Sequence, residues 1–231
     1  MDDGVGLLMC TDFLQVLIWT GLAGGDEEYC AILVALNSIL QMVLYAPLAI
    51  LFVTVISGGN GSQVSYSTVA TSVGVFLGIP LGAAVITRFA IRAVNAQWYD
   101  KTFLKWIAPW SLIGLLYTIL VLFASQGHRV VQQIVSVVRV AAPLIVYFLI
   151  IFFLTVLITR RFKFGYKLMV TQSFTAASNN FELAIAVAVA TFGADSDQAL
   201  ATTVGPLIEV PTLLCLVYLV KRIATRRGWE D

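Results

Sequence analysis

Residues 30–56, from Cys30 to Ile56, read CAILVALNSILQMVLYAPLAILFVTVI without one charged side chain. The gap runs further: no Asp, Glu, Lys or Arg occurs between Cys30 and Thr87. A helix crossing about 30 Å of hydrocarbon needs roughly 20 apolar residues in a row. Its backbone groups must be satisfied within the helix, since lipid offers no partner. A water-soluble core has no use for runs of this length. Composition agrees: of 231 residues 59% are hydrophobic and 12% charged, and the mean hydropathy is +0.91. A soluble domain carries roughly 45–50% apolar and about 25% charged residues. The chain reads as an all-α, polytopic transmembrane helical bundle.

Working outward from that run, apolar stretches and polar breaks give six full spans, at about 30–56, 64–87, 104–125, 131–159, 166–193 and 198–220. They are expected to form a single transmembrane domain over residues 1–231. An apolar stub at about 4–23 precedes them. It is interrupted by Asp12 and led by Asp2 and Asp3, not by the positive charge of a signal peptide. Orientation follows from the basic residues, because cytoplasmic loops carry an excess of Lys and Arg. Twelve of the 14 fall in three places: Arg88, Arg92, Lys101 and Lys105; Arg160, Arg161, Lys163 and Lys167; and Lys221, Arg222, Arg226 and Arg227. These alternate with connections that hold only Arg129. The 88–105 and 160–167 loops and the C-terminus are therefore expected in the cytoplasm, and the plasma membrane is the expected location.

Other classes lack their signatures. Net charge is +1, and no nucleic-acid partner is expected. Cys10, Cys30 and Cys215 are far apart and show no zinc spacing. The single His128 sits in a polar break between Gly127 and Arg129. No phosphate-binding GxxxxGK loop, cofactor motif or nucleophile–base constellation occurs, so neither an enzyme nor a cofactor is expected.

Three charges lie within the spans: Arg139, Glu182 and Glu209. Each costs about 2.5–3.5 kcal/mol at the bilayer centre on insertion scales, so each should face a bundle interior or a wet cavity. Arg139 paired with Glu182 or Glu209 would be a structural alternative to a transport role. The setting of Glu182 is unusual. Residues 171–182 run Thr-Gln-Ser-Phe-Thr-Ala-Ala-Ser-Asn-Asn-Phe-Glu. Ser178, Asn179 and Asn180 compete for backbone hydrogen bonds and favour caps and turns. Asn179 and Glu182 have capping-box spacing. The pattern predicts a helix that breaks near 178–180 and restarts toward Val189. A break at membrane depth is tolerated where it is buried in protein or lines a cavity, and secondary transporters build sites from such half-helices. Pro206 and Pro211 flank Glu209 in the sixth span and should bend it. Asn37, Ser38 and Gln41 share a face of the first span. Gly74, Gly78 and Gly82 form a small-residue ridge suited to close packing.

Phe174-Thr175-Ala176-Ala177-Ser178-Asn179-Asn180-Phe181-Glu182-Leu183-Ala184-Ile185-Ala186 closely resembles the hallmark of the arsenical-resistance arsenite permeases, part of the bile/arsenite/riboflavin transporter superfamily. Gly25-Asp26-Glu27-Glu28-Tyr29-Cys30-Ala31, Leu33–Ser38 and Val204-Gly205-Pro206-Leu207-Ile208-Glu209-Val210-Pro211 agree with the same family. The resemblance covers Val16 to the C-terminus. It implies ten helices in two inverted repeats, with broken fourth and ninth helices crossing at the site. The six spans would be helices five to ten, and the stub a remnant of helix four. The chain would then be the C-terminal part of a permease, with the missing N-terminal half as its partner, and would not confer arsenite resistance alone. The family exports arsenite against inward proton movement, and its motif glutamate falls on Glu182. Its essential thiol lies in a Gly-Leu-Ala-Arg-Cys-x-Ala-Met-Val-x-x-Trp stretch, which points to Cys10 as the arsenic ligand. Gly6-Leu7, Cys10 and Val16-Leu17-Ile18-Trp19 match that stretch. The Arg and Ala-Met are missing, Asp12 intrudes, and the Cys10–Trp19 spacing is two residues longer.

The chemistry is coherent. Trivalent arsenic is mainly an uncharged trihydroxide near neutral pH, and a soft thiolate is its natural ligand. A carboxyl group sheltered from water can hold or release a proton, so Glu182 or Glu209 could couple protons to arsenite or antimonite efflux. The expected site is Ser178, Asn179, Asn180, Glu182 and Glu209 with Cys10. Two alternatives stand beside it. One is sodium-coupled movement of an organic anion, with Ser178, Asn179 and Asn180 as oxygen ligands. The other is an inactive half-transporter that serves as an interaction partner.

Overall fold

The computed structural model describes residues 15–52, 65–103, 131–193 and 196–229, with scattered residues between 105 and 127. Residues 57–62 between the first two expected spans, most of the 104–125 span, and the stub as far as residue 14, Cys10 and Asp12 included, lie outside the described residues. Residues 15–23 are helical. Seven α-helices follow among the described residues: α1 (Glu27–Ile50), α2 (Tyr66–Val73), α3 (Ile79–Trp98), α4 (Ile134–Arg161), α5 (Tyr166–Ala177), α6 (Phe181–Phe192) and α7 (Asp197–Arg227). A π-helical turn, Gly74–Gly78, joins α2 to α3, and a second, Tyr99–Phe103, follows α3. The described residues contain no strand.

Three helices, α1, α4 and α7, are long and apolar enough to cross a membrane. At 1.5 Å per residue they measure about 36, 42 and 46 Å, longer than the roughly 30 Å hydrocarbon layer. α7 runs on through both Pro206 and Pro211. It also extends seven residues past the expected end at Val220. Lys221, Arg222, Arg226 and Arg227 are good helix formers and complement the negative pole of a helix C-terminus. The helix stops at Gly228, whose φ of 58° lets the Trp229 N–H donate back to Ala224 O. α4 stops similarly, with Lys163 in the left-handed region and Phe164 N–H donating to Thr159 O.

The chain divides into two compact units. The first takes in Ser38–Phe123 and Glu182–Ala199. Its core pairs Val69 and Val73 of α2 with Leu183 and Val187 of α6 and Ala46 of α1. The i, i+4 spacing places each pair on one helix face. In the glycine ridge, a Cβ on Gly78 would touch Met42 Sδ, whereas one on Gly74 or Gly82 would meet nothing among the described residues. Close packing is therefore met at Gly78 only.

The second unit takes in Phe13–Asn37, Ala124–Phe181 and Leu200–Asp231. α4 and α5 form a helical hairpin over the turn at 162–165. Phe152 of α4 meets Phe174 of α5 edge-on, with ring centroids 4.9 Å apart. Leu213, Leu216 and Val220 of α7 and Trp19 of the leading helical segment complete that core. Val43, Ile150 and Leu157 point outward on α1 and α4, as lipid-facing positions permit because lipid tails are as apolar as Leu.

Candidate functional site at a broken helix

α5 ends at Ala177 and α6 begins at Phe181. Between them Ser178 is extended, with φ −78° and ψ 143°. The break falls where the sequence placed it, and the helix restarts at once rather than further toward Val189. Three elements of the second unit hold the unwound residues. From α7, Glu209 accepts the Ser178 hydroxyl at 2.7 Å and the Asn179 N–H at 3.2 Å, both on Oε1. From α4, the Tyr147 hydroxyl donates to Asn179 Oδ1 at 3.2 Å. From the end of α5 itself, Ala177 O accepts Asn179 Nδ2 at 3.1 Å.

Glu209 is 2% exposed. A buried carboxylate is costly unless hydrogen-bonded, and bonds to a charged acceptor contribute about 1.5–3 kcal/mol each. Those bonds also satisfy Asn179's backbone amide, which the break removes from the helical ladder. One turn before Glu209, on the same face of α7, lies Gly205. A side chain there would fall on the Phe181 ring. That ring also meets buried Phe148 edge-on, centroids 6.4 Å apart. Gly205 and Glu209 thus form a two-point seat on α7: the glycine receives the apolar residue that restarts the helix, and the glutamate receives the polar ones that precede it.

Of the expected site residues, the second unit brings Ser178, Asn179 and Glu209 together, and Asn180 lies beside them half-buried. Glu182 is the second residue of α6, in the first unit; its side chain and Cys10 lie outside the described residues. Arg139 is exposed, five residues from the start of α4. Sequence reasoning missed Tyr147 and the pairing of Gly205 with Phe181. It also missed the surroundings of Cys30. That thiol is fully buried in the second unit, 3.4 Å from Thr20 Oγ1 and 3.8 Å from Thr175 Oγ1, one turn before the break. No cluster of three metal-ligating side chains occurs among the described residues. The site offers hydroxyl and amide groups on an unwound segment, with the Glu209 carboxylate of α7 against them.

Residues 5–133 match the Sodium Bile acid symporter family. The chain belongs to that family. It is 45% identical over 220 residues to the arsenical-resistance protein Acr3 of Corynebacterium glutamicum, covering 93% of this chain and 59% of that one. It is 32% identical to the Acr3 protein of Alkaliphilus metalliredigens, covering 94% and 60%, and 34% identical to an uncharacterized transporter of Synechocystis sp., covering 95% and 56%. The chain spans about six-tenths of the length of the curated relatives it matches. No solved structure matches. The resemblance of the chain to the arsenical-resistance permeases holds, and membership of the symporter family makes this an integral membrane protein of a transporter family.

Proposed function

We propose that this chain forms part of a proton-coupled exporter of arsenite, and of antimonite by the same chemistry, and acts as a transporter rather than an enzyme. The observation that carries the reading is the helix break at 178–180, seated on buried Glu209. The Acr3 relatives support arsenite as the substrate. On this reading Ser178, Asn179 and Asn180 offer hydrogen bonds to the arsenic hydroxyls. Glu182, with Glu209 as the second carboxylate, carries the proton. Cys10 is the thiol ligand assigned by resemblance. The six-span domain belongs to a ten-helix inverted repeat in the plasma membrane. The family's name favours a second reading, sodium-coupled movement of an organic anion.

Everted vesicles holding a transport-competent assembly that includes this chain separate the two. Arsenite uptake should follow an imposed proton gradient and ignore sodium. Sodium-driven uptake of an organic anion, with no arsenite movement, would replace the first reading by the second.

The same reading places the 160–167 loop in the cytoplasm. A cysteine introduced at Lys163, which is exposed, should resist an impermeant maleimide in intact cells and react after permeabilisation. Ready labelling from outside would reverse the topology.

A further inference from the structure

The two longest helices of the second unit finish together, and both finish in arginine pairs. α4 closes on Arg160-Arg161 and α7 on Arg226-Arg227. The Arg160 guanidinium lies 4.1 Å from the centre of the Trp229 ring, just beyond the end of α7, so the two termini share one surface. All four arginines are exposed, and among the described residues none is paired with a carboxylate. Lys163, Lys167, Lys221 and Arg222 add to the charge. The segments 160–167 and 221–231 carry eight basic residues against two acidic ones, Glu230 and Asp231. Lys221 is engaged on Leu22 O at 3.2 Å. Phe162 and Phe164 are exposed beside them, 72% and 40% respectively.

We propose that this surface binds the headgroup of an anionic phospholipid, with Arg160, Arg161, Arg226 and Arg227 contacting its phosphate. The place decides the partner. Helices of about 42 and 46 Å outrun the hydrocarbon layer, so their ends emerge at headgroup depth. Trp229, the ring beneath Arg160, is of a residue type enriched at that depth. Arginine presents a planar fork that matches a phosphate with two hydrogen bonds. Stacking on Trp229 holds Arg160 in place and lowers the entropy lost on binding. Basic clusters next to membrane-crossing helices attract anionic lipid through the same electrostatics. The inference is independent of the transported solute.

The full chain reconstituted in phosphatidylcholine, with spin-labelled phosphatidylglycerol or phosphatidylcholine as probe, tests it. The protein should associate with phosphatidylglycerol about fivefold in preference to phosphatidylcholine, the increment expected of one well-placed cation, and less so at high salt. Replacing all four arginines by Gln should remove the preference, and replacing all four by Lys, which keeps the charge but neither the fork nor the stacking on Trp229, should keep only part of it. Arg88→Gln with Arg92→Gln, in the first unit, should leave it unchanged. The assignment is overturned by no preference in the unaltered chain, by a preference that survives the Gln variant or is lost equally in the Arg88/Arg92 control, or by a preference indifferent to salt. Should the Gln variant fail to insert, the Lys variant, the control and the salt series still decide. Inorganic phosphate at matched concentration should not displace the lipid; full displacement would make this a free-anion site instead.

Discussion

Glu182→Gln should abolish proton-driven arsenite export in any transport-competent assembly that contains this chain, bringing arsenic accumulation to the level of cells without an exporter. Glutamine keeps the size and the hydrogen-bonding capacity of glutamate but cannot ionise. The helix it helps to start should survive, because Glu182 occupies the first turn of α6 and the helix core rests on Leu183 and Val187 packed against Val69 and Val73. Membrane insertion and thermal unfolding should therefore stay close to the unaltered protein; loss of the favourable charge at a helix N-terminus costs only about 0.3–1 kcal/mol. Glu182→Asp retains the ionisable group on a shorter arm and should export partially. The measurement is arsenite uptake into everted vesicles across a range of imposed proton gradients. Normal rate and normal pH dependence in the Gln variant would relieve Glu182 of the proton, and Glu209 would inherit it.

The second large effect is structural. Gly205→Ala places a methyl group on the Phe181 ring, and overpacking of this kind costs about 1–3 kcal/mol. Relief by a small shift of α7 is blocked, because Glu209 one turn along holds Ser178 and Asn179. The variant should unfold at lower temperature in detergent and lose transport. Phe181→Ala should also destabilise, by opening a cavity beside Phe148. Combined, the two changes should be less damaging than their sum, since the new methyl occupies space that the ring vacated. Strict additivity, or a Gly205→Ala protein as stable as the original, would mean that the ring does not sit on that glycine.

The three membrane-crossing helices α1, α4 and α7 were legible because lipid imposes length and apolarity on each residue separately. The break was legible because Ser178, Asn179 and Asn180 carry their competition with the helix in their own side chains. What seats the break was not. Glu209 lies 30 residues beyond Asn179, and no local pattern says which buried carboxylate caps which unwound strand of backbone. The sequence equally allowed Arg139 as a partner for a buried carboxylate, yet Arg139 is exposed and Glu209 accepts from Ser178 and Asn179. Gly205 read as part of a proline-bent span; its role is the space it leaves, which only the position of Phe181 defines. The end of the last helix was not legible for a related reason. Lys221 to Arg227 end the apolar run but not the helix, since leaving lipid and leaving the α conformation are separate events.

The turn at residues 22–26, whose Leu22 carbonyl accepts from Lys221, sets an order on the making of this protein. Asp26 N–H donates to Thr171 Oγ1, and Ala23 O accepts the Tyr166 hydroxyl. With the Leu22 carbonyl, all three bonds join this turn to residues at least 143 positions later in the chain. At roughly 5–20 residues per second of synthesis, the first of those partners leaves the ribosome about 7–30 s after the turn. During that interval the turn's polar groups must be served by water or headgroups at the bilayer surface. The leading segment is thus the first part of the second unit to be made, yet it waits for α5 before these bonds can form.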